Sequence, residues 1–138
     1  MKLSEIRVDA ARLEEGDWVG DLPEMGGLRL KVRGINNEKY RKAQQRMIEA
    51  LPRSKKPGGR IDPKAQDEIT SKCLLETVLI DWDGLEGDDG KPLAYDRAMA
   101  ERLLTEPDYR RFREAVIMAA AQVGDRAVEA EKAVEGNS

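Results

Sequence analysis

The sequence contains no histidine and a single cysteine, Cys73. Without histidine, the chain lacks the commonest general base and the commonest transition-metal ligand of proteins. A single cysteine cannot form an internal disulfide, so the composition fits a reducing cytoplasm. Neither a Ser/His/Asp set nor a Cys/His set can be assembled from these residues. We therefore predict that the protein is not an enzyme and has no catalytic residues, no metal site and no cofactor.

Long apolar runs and a strong charge of one sign are also missing. No apolar stretch approaches the roughly 20 residues that span a bilayer, and the charged residues 1–18 lack the apolar centre of a secretory signal. The net charge is −3, whereas nucleic-acid binding usually needs a basic surface. We expect a cytoplasmic protein that binds neither a membrane nor nucleic acid.

Charged residues are abundant, at 37%, and aromatic residues are few, at 4%. That balance is typical of amphipathic helices with solvated outer faces. The length of 138 residues is that of one ordinary domain. We predict a mainly α fold, a small helical domain of about four helices with a short N-terminal β-hairpin as a minor α+β element. The domain is predicted to span residues 1–124, with its β element at about 16–35 and a partly ordered C-terminal tail over 125–138.

The N-terminal third carries the β signals. Residues 1–15 predict a short strand or an irregular arm, and turn residues then separate two short apolar runs within 16–35. The second run alternates strictly, which places Leu28, Leu30 and Val32 on one face of a strand. Its other face is basic, with Arg29, Lys31 and Arg33. These three residues form either a nucleic-acid stripe or a solvated strand face, and we favour the solvated face because no aromatic residue interleaves with them.

Helical periodicity covers most of the remaining chain. The predicted helices are residues 38–51, 63–81, 97–105 and, starting at either 107 or 108, a last helix that ends at 123. Asn37, Asp62 and Asp96 are the predicted N-terminal caps, and Gly124 is the last stop. Tyr109, Ile117 and Met118 are included in the apolar stripe of the last helix. Cys73 lies on a buried stripe, so we interpret it as a core residue rather than a nucleophile. The basic loop 53–61 is either a mobile connector, which we favour, or a site for an acidic partner.

The loop over residues 81–90 contains five carboxylates. An EF-hand starting at Asp81 needs glycine at the sixth position and glutamate at the twelfth, but these are Glu86 and Pro92. The register starting at Asp83 also fails, because Leu85 occupies its third position. We favour a solvated turn over a looser metal site or acid/base chemistry.

Two stretches carry a family resemblance. One is residues 33–40, where a basic residue and two asparagines precede a tyrosine at a helix start. The other begins at the acidic loop, and its most specific residues are Trp82, Gly84, Gly90, Pro92 and Tyr95. Together they resemble small tail assembly chaperones of long-tailed, siphovirus-like bacteriophages and prophages. The similarity covers residues 15–124, approximately.

The resemblance implies a non-catalytic protein that binds the long, helical tape measure protein and helps recruit subunits of the major tail (tube) protein. It also implies a possible homo-oligomer that acts in the cytoplasm of the bacterial host and is absent from the mature virion. Trp82, Gly84, Gly90, Pro92 and Tyr95 are expected to shape the loop and the entry into the next helix. The candidate partner-binding residues are Arg29, Lys31, Arg33, Lys39, Lys42 and Arg46.

Other functions remain open at the level of sequence. Another phage structural or morphogenesis protein, such as a head–tail connector or a minor tail component, would stay in the finished particle. A small DNA-binding regulator would use the basic hairpin and the helix at residues 38–51, and its binding would depend steeply on salt. An enzyme would need a carboxylate site within residues 81–89 and is the alternative that we favour least.

Overall fold

The computed structural model describes the backbone of residues 1–136 and the side chains of residues 1–128. Within these residues, the chain forms five α-helices and one three-stranded antiparallel sheet, which confirms a mainly α fold with a minor β element. The elements are α1 Ala10–Glu15, β1 Asp17–Val19, β2 Arg29–Val32, α2 Glu38–Glu49, α3 Pro63–Cys73, β3 Leu79–Asp83, α4 Arg97–Thr105 and α5 Arg110–Gly136. No helix among them is long and apolar enough to cross a membrane.

The predicted hairpin is present. Strand β1 pairs with β2 so that Asp17 lies opposite Val32 and Val19 opposite Leu30. The apolar face predicted for β2 is buried, with Leu30 and Val32 fully inaccessible. Arg29, on the other face, is exposed.

The third strand corrects the helix predicted over residues 63–81. The α-helix ends at Cys73, a single π-helical turn follows over Leu74–Val78, and the chain then enters β3. Arg33 N donates to the Val78 carbonyl oxygen at 2.9 Å, so the backbone has already turned toward the sheet. Strand β3 pairs antiparallel with the second edge of β2. This pairing satisfies backbone groups that would otherwise be left at an edge, and it overrides the helical periodicity.

The two ends of the chain bring two further corrections. Residues 1–15 form a 3-10 turn over Leu3–Ile6 and then α1, rather than the short strand or irregular arm that the sequence predicted. Helix α5 continues through Gly124 to Gly136, so the predicted helix end at Val123 is wrong as well. Asp9 N donates to the Ala127 carbonyl oxygen, and this packing holds the helix beyond its glycine. The boundary at 124 for a C-terminal tail stays a prediction, and the last two residues of that tail lie outside the described residues.

The main core lies between α5, the sheet and α4. The buried stripe predicted for α5 is confirmed for Phe112, Val116, Ala119, Ala120 and Val123. Tyr109 and Met118 were expected on the same stripe, but they are 39% and 43% exposed. A second, smaller cluster joins α2 to α3 through Ala43, Ile69 and Cys73, with Tyr40, Met47, Ile48 and Leu51 packed around it.

Candidate functional site

Trp82 connects the acidic loop to the core. Its side chain is 4% exposed, and its Nε1 donates to the Leu93 carbonyl oxygen at 2.8 Å. The ring lies 4.9 Å from the Tyr95 ring and 5.9 Å from the Phe112 ring, centroid to centroid, and the second contact is edge to face. These aromatic geometries are favourable beyond the area that they bury. The indole therefore joins β3, the segment before α4 and helix α5 at one point.

Two glycines allow the loop to turn, for different reasons. Gly84 has φ of +77°, and a Cβ at this position would collide with the Gly27 carbonyl oxygen. Gly90 has φ of +80°, but a Cβ there would meet no atom. Gly84 is therefore required by both backbone angle and space, whereas Gly90 is required by backbone angle alone.

The loop itself is a small hairpin that ends at α4. Leu93 N donates to the Leu85 carbonyl oxygen at 2.8 Å, and Gly87 N donates to that of Lys91 at 2.9 Å. Pro92 pairs with Glu86 in an isolated bridge. Asp96 then caps α4 by accepting from Met99 N. The most specific residues of the family resemblance thus form one folded unit with a defined backbone, whereas its other stretch, residues 33–40, lies at the start of α2.

A groove of about 410 Å³ lies between β3 and residues 92–95. Its lining includes Asp81, Asp83, Glu86, Trp82, Leu93 and Tyr95. Asp81 Oδ1 accepts from Trp82 N at 2.8 Å. Within residues 1–128, the carboxylates of Asp83 and Glu86 have no hydrogen bond or ion pair, and no cluster of acidic or cysteine side chains is placed to hold a metal ion. The groove is accordingly lined by carboxylates and apolar walls, with Arg29 and Lys31 opposite Asp83 and Asp81 on the neighbouring strand.

A second groove, of about 180 Å³, lies between the β1–β2 loop and α5. Leu22, Met25, Ala115 and Met118 supply its apolar lining. An exposed ion pair borders it, in which Arg111 Nη2 lies 3.1 Å from Glu24 Oε2. The exposed Met118 gives this surface a flexible apolar side chain, of the kind that adapts to varied partners.

The candidate basic residues on the hairpin make contacts within the chain. The Arg29 guanidinium lies 5.4 Å from the centre of the Trp18 ring. Arg33 Nε donates to the Glu14 carbonyl oxygen at 2.7 Å. Lys31 is half-buried and lies opposite Asp81 in the sheet register.

The candidates on α2 occupy a different element. Lys39 is exposed, Lys42 Nζ lies 3.9 Å from Glu38 Oε1, and Arg46 Nη2 lies 2.9 Å from Glu76 Oε2. Both ion pairs are largely exposed, so each contributes little stability. The six candidates therefore fall into two groups, one on β2 and its end and one on α2, rather than one patch.

A separation of charge along the chain was missed in the sequence, although counting charges by segment would have revealed it. Residues 38–73, the hairpin of α2 and α3, contain ten basic and five acidic residues, a net charge of +5. The rest of the chain contains fourteen basic and twenty-two acidic residues, a net charge of −8. The net charge of −3 conceals this division. The loop 53–60 at the tip of the hairpin carries Arg53, Lys55, Lys56 and Arg60 and no acidic residue.

Cys73 is a core residue, as predicted. Its side chain is fully buried, and its Sγ lies 3.8 Å from the Met47 sulfur. Burial, reinforced by the nearby Glu76 carboxylate, raises the pKa of the thiol above its ordinary value. A raised pKa disfavours the thiolate, which is the nucleophilic form.

Comparison with known families gives one match. Residues 35–137 match the family model described as YdaY prophage protein, which therefore covers more than half of the chain. No curated protein and no solved structure matches the chain significantly.

Proposed function

The chain belongs to the YdaY prophage protein family, and from this premise we propose that it is a non-catalytic tail assembly chaperone. In this proposal, it binds the tape measure protein and helps recruit tail-tube subunits in the host cytoplasm, and it leaves before the virion is complete. Membership of a prophage family supports the phage context. The tail-specific role goes beyond that membership and rests on the chain's own features.

The folded unit around Trp82 is the observation that carries the proposal. The most specific residues through which the chain resembles tail assembly chaperones are brought together there. The indole hydrogen bond to the Leu93 carbonyl oxygen and the edge-to-face contact with Phe112 of α5 hold them in place. The family match includes this whole unit. A resemblance whose residues form one structural unit supports common architecture better than scattered identities would.

The groove beside Met118 is the surface that we propose for the tape measure protein. An amphipathic partner helix binds by inserting apolar side chains into a groove, with charged residues at the rim. This groove has an apolar lining and an Arg111–Glu24 ion pair at its edge. Met118 belongs to α5, so a helix bound here would lie directly on the main core.

Co-expression with the neighbouring tape measure and tail-tube genes tests the proposal, followed by pull-down and size analysis. We expect the tape measure protein to stay soluble in a complex with this chain. Met118→Lys should reduce its recovery at least tenfold, because a charge then enters the apolar groove. Tyr109→Lys is the matched control, since Tyr109 is also an exposed apolar residue but lies outside the groove. If the folded wild-type chain retains neither tail protein, the chaperone role is wrong.

A second candidate function is a small DNA-binding regulator, and the net charge of +5 on residues 38–73 favours it. Fluorescence anisotropy with duplex DNA would measure it directly. This function would be supported by an association constant whose logarithm falls linearly with the logarithm of the salt concentration. Discovery of the chain in purified particles would instead support a connector or minor tail component.

A further inference from the structure

We propose that the chain associates with itself head to tail, with the basic tip of the α2–α3 hairpin docked in the acidic groove of a second copy. The basic tip is residues 53–60, and the acidic groove is the one between β3 and residues 92–95. The proposal does not rest on the chaperone role, because it concerns the purified chain alone.

Opposite local charges drive the contact. In physiological salt, charges interact over a Debye length of about 8 Å, so a docking surface responds to nearby charges rather than to the net charge. The hairpin of residues 38–73 carries +5 and the rest of the chain carries −8. Two copies, each with a small net charge, therefore repel each other weakly overall. The hairpin of one copy nevertheless attracts the rest of the other copy strongly at short range.

The basic tip presents its cations on an ordered backbone. Two short 3-10 turns, Arg53–Lys55 and Pro57–Gly59, shape it, and Asp62 N donates to the Lys55 carbonyl oxygen at 2.8 Å. Arg53, Lys55 and Arg60 are exposed, and none has a side-chain ion pair in the described part of the chain. Because the backbone of the tip is already ordered, docking costs less conformational entropy than it would for a disordered loop.

The acidic groove is suited to such side chains. Lys and Arg pack their aliphatic stems on apolar surface while their charged ends meet carboxylates. Here Leu93 and Tyr95 supply apolar walls, and Asp83 and Glu86 supply carboxylates. Strand addition is disfavoured at this edge, because the Trp82 N–H is already bonded to the Asp81 side chain.

The tip and the groove of one molecule lie too far apart to meet. Asp67 and Ser71 of α3 share a cavity with Thr105 and Glu106 at the C-terminal end of α4. The groove instead precedes the N-terminal end of α4, which as a nine-residue helix is about 13 Å long. The basic tip precedes α3, and this eleven-residue helix, about 16 Å long, separates it from the π-helical turn and from β3 at the groove. A tip docked in the groove therefore belongs to another copy, and a contact between two different surfaces produces a ring or an open chain.

Sedimentation velocity on the purified full chain, over a concentration series in low and in high salt, tests this contact. We expect the wild type to associate as concentration rises and to dissociate in high salt. Arg53→Glu/Lys55→Glu reverses the charge of the basic tip, and Asp83→Lys/Glu86→Lys reverses the charge of the acidic groove. Each double variant should raise the dissociation constant of self-association at least tenfold. Arg7→Glu/Arg110→Glu changes the net charge by the same amount as the tip reversal, at exposed positions elsewhere, and should leave association intact.

Mixing the two reversed variants gives the sharpest result. One retains a wild-type groove and the other a wild-type tip, so the mixture should associate although neither variant does alone. Association of the mixture also shows that both variants are folded. Two neutral variants, Arg53→Gln/Lys55→Gln and Asp83→Asn/Glu86→Gln, remove the charges without reversing them and should weaken association less. A wild type that stays monomeric in low salt, association that both reversals leave unchanged, or a mixture that fails to associate would each overturn the proposal.

Discussion

At the scale of single residues, the acidic loop depends on one indole and one glycine. Trp82 contacts two aromatic rings and donates its only side-chain hydrogen bond to a backbone carbonyl of the loop. Gly84 lets that loop approach the β1–β2 loop more closely than any side chain permits. The tryptophan stood out in this acidic, glycine-rich segment, but the sequence did not show which of its glycines packs against a distant loop.

Replacing Trp82 with phenylalanine should destabilise the protein by about 1–3 kcal/mol, because the Leu93 carbonyl oxygen loses its donor and the smaller ring leaves a gap. Urea unfolding followed by circular dichroism measures the change. Trp18→Phe is the matched control, since Trp18 is only half-buried and no hydrogen bond from its indole occurs in the described residues. Equal effects of the two substitutions would contradict the anchoring role of Trp82.

Gly84→Ala and Gly90→Ala separate backbone strain from steric collision. Both residues have φ near +80°, so each substitution by alanine should lower the free energy of unfolding by about 1–2 kcal/mol, because the left-handed conformation is strained for a residue with a Cβ. At Gly84 the new methyl group also meets the Gly27 carbonyl oxygen, whereas at Gly90 it meets open space. We therefore expect the Gly84 variant to have the lower thermal midpoint of the two. The reverse order would show that the two loops do not pack as described.

At the scale of elements, local chemistry predicted the starts of three helices, whereas tertiary contacts decided where α3 and α5 end. Asn37, Asp62 and Asp96 were predicted as N-terminal caps, and each accepts a hydrogen bond from the backbone N–H three residues later. Strand β3 was missed because its residues fit a helical pattern and its partner, β2, lies about fifty residues earlier in the chain. No local sequence signal indicates that the free edge of β2 pairs with a segment so far away in the chain.

Helix α5 offers a direct test at this scale, because its path through Gly124 contradicts the stop expected from the sequence. Glycine in a helix interior costs about 1 kcal/mol relative to alanine, and a Cβ at position 124 meets no atom within 4 Å. Gly124→Ala should therefore raise the free energy of unfolding by about that amount. If the helix instead ended at a left-handed Gly124, the same substitution would lower stability. Thermal unfolding distinguishes the two signs.

At the scale of the whole molecule, the fold class was predictable and the arrangement of surfaces was not. Composition and periodicity are properties of the chain, so they predicted a helical domain with a hairpin. The two grooves depend on which elements become neighbours, and only the fold brings β3 beside residues 92–95 or Met25 beside Met118. The basic candidates illustrate the limit, because their charges were visible while their division between β2 and α2 was not.

The two unequal cores lead to the last prediction. Among the side chains of residues 1–128, the cluster between α2 and α3 has three buried members and the main core has nineteen, so the hairpin has the smaller share of buried apolar contacts. Segments with few such contacts open more readily than the global unfolding reaction. In hydrogen exchange followed by mass spectrometry, peptides from residues 38–73 should exchange before those from β2 and the first half of α5.

Arg113 is the most shielded of the side chains that oppose this opening. Its Nε donates to Ser71 Oγ at 3.1 Å and its Nη2 lies 2.9 Å from Asp67 Oδ1, and at 22% exposure it is the most shielded cation among the described ion pairs. Arg113→Met keeps an aliphatic stem but removes both contacts, so it should accelerate exchange in α3 and leave β2 unchanged. Arg111→Met is the control, because it removes an ion pair with the exposed Glu24, which belongs to the β1–β2 loop and not to the hairpin of α2 and α3. Uniform exchange across the chain, or equal acceleration by both variants, would mean that the hairpin and the main core unfold as one unit.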